Sequence, residues 1–497
     1  MCGFYGVIGS PGNACHEVYE ALVSLQHRGQ DSAGIVSYDG NFHLKKGNGL
    51  VRDIFRSKNM ERLTGPWGIG QVRYPTFGGS SSEDAQPFLV DYPYGIAMAH
   101  NGNVTNAEEV SNWLRKNKRR ILQSSCDLEL ILSTFAAELS ETGGVDPDPD
   151  SVFEALEKVL ARIHGAYSVV SLIARLGMVA FRDPNGIRPM LMGRRRSENG
   201  EESWACASEN IALEILGCTD IQNIGPGEAV IFIPGQEPLR RQVSKSIHNP
   251  CIFEQVYFAR PDSILDDVSV YEARRNFGTQ LAQKWNALGL HADVVIPVPD
   301  SACTAASTMA REIGVEYREG LVKNRYIGRT FIMPGQGERT SGVRRKLNAI
   351  ESEFSGKDVL LVDDSVVRGN TSRQIVELAR ASGARKVYFA SCSPPVKHPC
   401  VYGVDMSTRG ELIATDRTDE QIAESIGADA MIYQEIADLR LAVKNTGSKL
   451  DYCAACFDGK YPTADVTSKT LASIEESRLE NQKQRLKINA GAVGEPG

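Results

Sequence analysis

Apolar and polar positions change rhythm once along the chain. In the first part, short alternating runs predict strands at Phe4–Ile8, Ala33–Tyr38, Gly68–Arg73, Gly95–Ala99, Tyr167–Ile173 and Met178–Phe181. Between them, apolar residues at helical spacing predict helices at His16–Gln26, Asn106–Lys116, Asp127–Leu139 and Ser151–His164. Such a mixture predicts an α+β arrangement of sheets layered with helices. The rhythm breaks near Arg240–Pro250. From Cys251 to about Thr463, near-continuous apolar strands such as Ala292–Val298 and Val359–Val362 alternate with helices, the pattern of an α/β domain with a parallel sheet. The remainder is polar, with one helix near Leu471–Leu486. The expected division is therefore 2–240, 251–463 and a C-terminal tail, 464–497.

Bulk properties narrow the class. A chain of 497 residues is too long for one core, which agrees with two domains. A net charge of −7 argues against general affinity for nucleic acid. No apolar run approaches the roughly 18 residues of a membrane span, and the N-terminus lacks the basic and apolar regions of a secretory signal. The 11 cysteines, odd in number and scattered, do not form a disulfide framework, so a cytoplasmic setting is expected.

The densest chemistry lies at Val359–Ser372. A buried-type strand ends in Asp363 and Asp364, followed by Ser365, Arg368, Gly369, Asn370, Thr371 and Ser372. Gly369 permits close backbone approach, and Thr371 or Ser372 is placed to cap the next helix. Backbone N–H groups at such a turn make an anion cradle. A phosphate cradle beside two carboxylates suits a ribose 5-phosphate. A second turn, Pro299-Asp300-Ser301, follows the strand Ala292–Val298, and Ser301 is placed to cap a helix over Ala302–Ile313. Between the two turns, Lys323 to Gln336 carries Lys323, Arg325 and Arg329 among glycines, and Arg339, Arg344, Arg345 and Lys346 extend it. This reads as a basic lid over a polyphosphate. The Val359–Ser372 run closely resembles the 5-phosphoribosyl-1-pyrophosphate (PRPP) loop of type I phosphoribosyltransferases, with Asn370 in place of the usual Thr. The resemblance implies that Asp363 and Asp364 hold the ribose hydroxyls and, with Ser301, Mg²⁺. It also implies that Ser365 to Ser372 hold the 5-phosphate, with Lys323 and Arg329 contributing to PRPP binding.

The other end of the chain begins Met1-Cys2-Gly3. With Met1 removed, Cys2 carries a thiol and an α-amino group whose pKa of about 8 suits a base near neutral pH. An incidental cysteine is the plain alternative. Three further stretches favour the nucleophile: Leu25–Gly34, rich in polar side chains; Arg73 at a strand end; and Asn101-Gly102-Asn103, read as a turn after another strand. Together they resemble the class II (Cys-type) glutamine amidotransferases, whose domain is a layered αββα fold with an N-terminal nucleophile. That resemblance implies that Cys2 is the nucleophile and that the Asn101 side chain and Gly102 N–H form an oxyanion hole. Arg73 would bind the α-carboxylate of glutamine, Asp127 its α-ammonium group, and Arg28 would assist in glutamine binding.

A glutaminase and a PRPP domain in one chain resemble the glutamine PRPP amidotransferase family. Arg182–Pro189 and Tyr257–Asp262 fit that family too, although the residues themselves suggest no more than turn chemistry. The resemblance implies an ammonia path between sites, purine nucleotides as feedback inhibitors and a homo-oligomer. Cys453 and Cys456 form a C-x-x-C pair, which zinc, redox or incidental readings all suit. With Cys251 and Cys400 their settings resemble the iron–sulfur branch of the family, implying a [4Fe–4S] cluster; free thiols and Cys₄ zinc are the alternatives. The implied role is a structural tie, far from the chemistry. Other readings are a regulatory PRPP-binding protein with a vestigial glutaminase, and a Cys-type amidotransferase acting on amino sugars or asparagine. Intact Cys2, Arg73 and Asn101-Gly102 oppose the first, and the PRPP loop opposes the second.

Overall fold

The computed structural model describes residues 2–74, 82–197, 200–324, 347–404 and 408–476. Two antiparallel sheets make up the first part. In spatial order the first comprises Thr219–Asn223, Leu191–Arg196, Glu202–Ala207, Gly3–Ile8, Trp67–Arg73, Ser32–Tyr38 and Phe42–Asn48. The second comprises Leu239–Gln242, Glu228–Phe232, Gly177–Arg182, Gly165–Ile173, Ile96–Val104 and Phe88–Val90. Their facing sides share one core, in which Phe4, Ile8 and Ile69 meet Ala97, Val170 and Met178. Helix Ala14–Ser24 packs on the outer side of the first sheet, and helices Leu128–Thr142 and Pro149–Arg162 cover the second. The result is four layers, αββα.

Every strand and helix expected in this part is present within a few residues. The expected strand Gly95–Ala99 differs most. It runs on as Ile96–Val104, so Asn101, Gly102 and Asn103 lie inside a strand and not in a turn. They stay in register with Ser168, Tyr167 and Ala166 of the neighbouring strand. Gly102 permits this approach, since a Cβ there would stand 2.0 Å from the Ala166 carbonyl oxygen. The edge strands Phe42–Asn48, Thr219–Asn223 and Leu239–Gln242 are largely exposed or half-buried, so no apolar pattern announces them.

The second part holds a five-stranded sheet in the order Glu316–Tyr317, Val294–Pro297, Asp358–Asp363, Lys386–Ser391, Ala430–Tyr433, parallel throughout. Helices Val270–Leu288, Cys303–Ile313 and Ile436–Lys444 cover one face, and Asn370–Ala381 and Asp419–Ile426 the other. The chain runs outward from Val294–Pro297 to one edge, then returns to its other side. The strand order therefore reverses between Val294–Pro297 and Asp358–Asp363. In such sheets the crevice beyond the carboxyl ends of the strands at this reversal is where ligands bind. Near the C-terminus, residues 468–476 are helical; the rest of the expected tail helix lies outside the described residues. Among the described residues, no helix is long and apolar enough to cross a membrane.

Candidate active sites

Strand pairing builds the first site. Gly3 pairs with Val72, which brings Cys2 beside Arg73 at the end of the adjacent strand. Cys2 is buried, and its sulfur lies 3.7 Å from the Tyr74 carbonyl oxygen. The Cys2 nitrogen donates to Asn101 Oδ1 at 3.1 Å. The other end of that amide, Asn101 Nδ2, is buried with no hydrogen-bond partner among the described residues. An unused buried donor is costly unless something is to fill it. Here it belongs to the side chain whose oxygen already orients the cysteine.

Asp127 lies at the start of helix Leu128–Thr142 but does not cap it with its side chain. Its carboxylate instead accepts the Val104 N–H at 3.0 Å and lies 3.3 Å from His100 Nε2. Burial acts to raise its pKa, but the His100 ring, the Val104 bond and Arg73 outweigh it and hold the carboxyl below its ordinary range. Asp127 is therefore an ionised acid in a buried setting. Arg73, also buried, contributes to the same field.

Arg28 is held among buried acceptors. Its side chain is wholly buried under Cys2. Nε donates to the Cys2 carbonyl at 2.9 Å, Nη1 to Glu209, and Nη2 to both oxygens of Glu254 at 2.9 and 3.1 Å. Its nitrogens are directed to the Cys2 carbonyl and to two buried carboxylates.

The second site lies at the sheet's point of reversal. Asp363 ends the strand Asp358–Asp363, and Asp364 follows it, both buried. The Asp364 N–H donates to Asp363 Oδ1 at 2.8 Å. Burial, then the adjoining Asp364 charge, push the Asp363 carboxyl well above the carboxylate range. Ser365 Oγ donates to Asp364 Oδ1 at 2.6 Å, and Ser301 Oγ donates to Asp364 Oδ2. Ser301 is thus drawn to the acid pair and does not cap the next helix, which starts at Cys303 without a side-chain cap. Nor do Thr371 and Ser372 cap theirs: helix Asn370–Ala381 begins after Gly369, whose φ of 75° is left-handed. A Cβ on Gly369 would also meet Ile413 at 2.2 Å. Lys323 pairs with Asp300 at 2.7 Å, and Arg368 with Glu411 at 3.6 Å. Arg329 and the rest of the basic segment over 325–346 lie outside the described residues.

Cys251, Cys400, Cys453 and Cys456 come together around one cavity, also lined by Arg188 and Phe253. A β-bridge pairs Cys251 with Cys453, and Cys453 N donates to the Pro250 carbonyl at 2.9 Å. Burial pushes the Cys251 thiol up to about 11 and those of Cys453 and Cys456 well above the usual range. Among the described residues, no group of three or more His, Cys, Asp or Glu side chains is arranged to hold a metal ion. The cysteines do tie the start of the second part to its C-terminal end, but they are not remote from the first site. Asn103 Nδ2 donates to the Val401 carbonyl at 2.8 Å, and a Cβ on Gly403 would stand 2.8 Å from the Gly102 carbonyl oxygen. The segment carrying Cys400 therefore rests on the strand that presents Asn101 and Gly102.

Sequence reading missed the buried charges that join the two parts. Arg188 Nε donates to the Tyr402 carbonyl at 2.7 Å and Nη1 lies 3.4 Å from Glu254. Arg182 holds Asp266 at 2.8 and 3.0 Å. The signal was the Arg182–Pro189 run, whose two arginines flank a turn of Pro and Gly, but nothing local identifies their partners.

Relatives bear on this geometry. A family model described as a glutamine amidotransferase domain matches residues 76–214, and one described as a phosphoribosyl transferase domain matches residues 271–394. The chain is 49% identical over 490 residues to an amidophosphoribosyltransferase of Pseudomonas aeruginosa, covering 98% of this chain and 97% of that protein. The chain belongs to the amidophosphoribosyltransferase family. It is also 48% identical to the Escherichia coli amidophosphoribosyltransferase, over 97% of each chain. The solved glutamine PRPP amidotransferase from B. subtilis, complexed with ADP and GMP, is 38% identical, with a TM-score of 0.82 over 94% of this chain and 98% of that one. As in that amidophosphoribosyltransferase fold, a glutaminase part with antiparallel sheets precedes a phosphoribosyltransferase part with a parallel sheet.

Proposed function

We propose that Cys2 and the acid pair Asp363-Asp364 are the two reactive centres of this enzyme, one in each part of the chain, with 2–240 and 251–463 as the functional units. The enzyme makes 5-phosphoribosylamine, glutamate and pyrophosphate from glutamine, PRPP and water, the first committed step of purine synthesis. The observation that carries the residue assignment is the Asn101 amide, whose oxygen holds the Cys2 nitrogen while its N–H group stays unfilled.

With Met1 removed, the Cys2 thiol, deprotonated by the α-amino group so freed, attacks the side-chain amide carbon of glutamine. Charge develops on the amide oxygen, where Asn101 Nδ2–H and the Gly102 N–H receive it. One such donor is typically worth about 3–4 kcal/mol. The nitrogen leaves as ammonia, and water then releases glutamate from the thioester. Arg73 binds the α-carboxylate of glutamine with a planar fork, and ionised Asp127 binds the α-ammonium group. At the second site Asp363 and Asp364 take the ribose hydroxyls, and the Ser365–Ser372 turn takes the 5-phosphate. Lys323 and Arg329 contribute to PRPP binding. Asp363, Asp364 and Ser301 would hold Mg²⁺, which when bound would supply neutralisation of the departing pyrophosphate. The oxygen-only donor set, two buried carboxylates joined to half-buried Ser301, suits that ion. Ammonia adds to C1 of the ribose as pyrophosphate leaves.

The four cysteines suit a [4Fe–4S] cluster in a structural role. Four cysteines lining one cavity with Arg188 support this, since a cation favours thiolate ligands. Purine nucleotides as feedback inhibitors, a homo-oligomer and a cytoplasmic setting complete the reading. The B. subtilis relative's complex with ADP and GMP supports the first of these. A PRPP-dependent glutaminase assay with product identification tests the whole. Glutamate release that ignores PRPP, with no phosphoribosylamine formed, would refute it.

A further inference from the structure

One buried carboxylate joins the two halves of the enzyme. Glu254 opens the π-helix Glu254–Phe258 and is 3% exposed. Its oxygens accept both bonds from Arg28 Nη2, and Arg188 Nη1 approaches from the other side. Beyond Arg28 lies the carbonyl of Cys2, and beyond Arg188 the carbonyl of Tyr402, two residues after Cys400. The path Cys2–Arg28–Glu254–Arg188–Tyr402 contains no exposed member.

The surroundings hold Glu254 still. Arg274 donates to the Gln255 and Ala259 carbonyls at 2.9 and 2.8 Å, bracing the π-helix. Helices of this type recur where a backbone is shaped for function. Arg28 is fixed on its other prong by Glu209, which accepts Ser263 Oγ at 2.5 Å and the Arg260 N–H at 3.1 Å and lies 2.8 Å from His27 Nε2. Arg28 and Arg188 against Glu209 and Glu254 form a balanced buried set of charges. The set touches the reacting residue at the Cys2 carbonyl.

We propose that Glu254 is a positioning residue for the glutaminase half-reaction. By pinning Arg28 it fixes the Cys2 carbonyl, and so the direction in which the Cys2 thiol and nitrogen face Asn101. Through Arg188 it ties that direction to the Cys400–Val404 segment. The inference rests on Cys2 as the nucleophile. Small misplacements of a reacting group are costly, about 100-fold for 1 Å.

The test compares Glu254→Gln with the unaltered enzyme in glutamine- and ammonia-dependent synthesis. The expected result is a fall in kcat with glutamine of about 10- to 100-fold, with KM changed less than about threefold and ammonia-dependent synthesis unchanged. Alkylation of Cys2 by a diazoketone analogue of glutamine slows in step. Combining Glu254→Gln with Arg28→Met gives no greater loss than Arg28→Met alone, because the first acts through the second. Should Glu254→Gln not fold, Glu254→Gln with Arg188→Gln restores charge balance and shows the same selective loss. Equal falls with both nitrogen sources, additive losses in the Arg28 pair, or full glutamine use in the charge-balanced pair would each overturn the proposal. Cys2→Ala serves as the reference. If it keeps glutamine use, the nucleophile assignment fails. If it loses glutamine use while Glu254→Gln does not, the positioning role alone fails.

Discussion

Ser301 donates its hydroxyl hydrogen to Asp364, so the turn after one strand is bonded to the acid pair at the end of its neighbour. The turns that follow these two neighbouring parallel strands are thereby joined. The importance of the acid pair is open to direct measurement. Asp363→Asn with Asp364→Asn is expected to lower glutamine- and ammonia-dependent synthesis together, by at least about 100-fold, since both nitrogen sources need PRPP. Calorimetric titration with PRPP and Mg²⁺ checks the cause; unchanged affinity would show the loop to be misread.

Cys2→Ala separates the half-reactions. Glutamine use is expected to vanish while synthesis from ammonium salts persists, because the acid pair lies in another sheet. Loss of both activities in a folded protein counts against the assignment.

Arg73→Lys keeps the charge but loses the planar fork. Glutamine use is expected to weaken by about 10- to 100-fold, chiefly in KM, with the ammonia reaction intact. An equal loss with ammonia points to folding instead.

Acid stability reports on Glu209. Burial raises its carboxyl, but His27 and Arg28 outweigh this and hold it far below its ordinary value of 4.5. The folded state then binds fewer protons than the unfolded one. Its stabilising contribution is full above about pH 4.5 and is lost as pH falls toward the lowered folded value. Glu209→Gln, which leaves Arg28 with one carboxylate fewer, is expected to cost about 3–5 kcal/mol at pH 7. It should also show a shallower decline between pH 5 and pH 3 than the unaltered protein (roughly the span over which such a group protonates). Urea midpoints across that range decide; parallel curves would place the acid sensitivity elsewhere.

Anaerobic purification tests the cysteine cavity. About four iron and four sulfide per chain are expected, with loss of tertiary structure once oxygen removes them. A colourless, fully active, iron-free protein would end the cluster reading and leave the amidotransferase intact.

The acid pair stood out because an apolar strand ends in two acids and is followed by Gly369-Asn370-Thr371-Ser372 and a helix; two acids alone would read as an ordinary charged corner. The glutaminase residues were legible as a set, but their backbone was not. Asn101 and Gly102 look like a turn, yet Gly165 and Gly102 let the two strands close over them. Ser301 was found at the right place with the wrong partner, since its acceptor lies 63 residues away. Separation in sequence likewise hid Glu254 and Arg188, 66 residues apart. A charged residue in sequence is indistinguishable from a surface one until its counter-ion is known. Burial of such pairs is decided by tertiary contacts, and local pattern carries no trace of it.

Gly403 and Gly102 meet backbone to backbone, with no room for a methyl group between them. The glutaminase part is consequently not a portable module. Cut away from the phosphoribosyl part, its catalytic strand would lose the surface it leans on and the Asn103–Val401 bond with it. Grafting this glutaminase onto a different synthase would therefore mean transplanting the 400–404 segment as well, as a splint for the strand it supports.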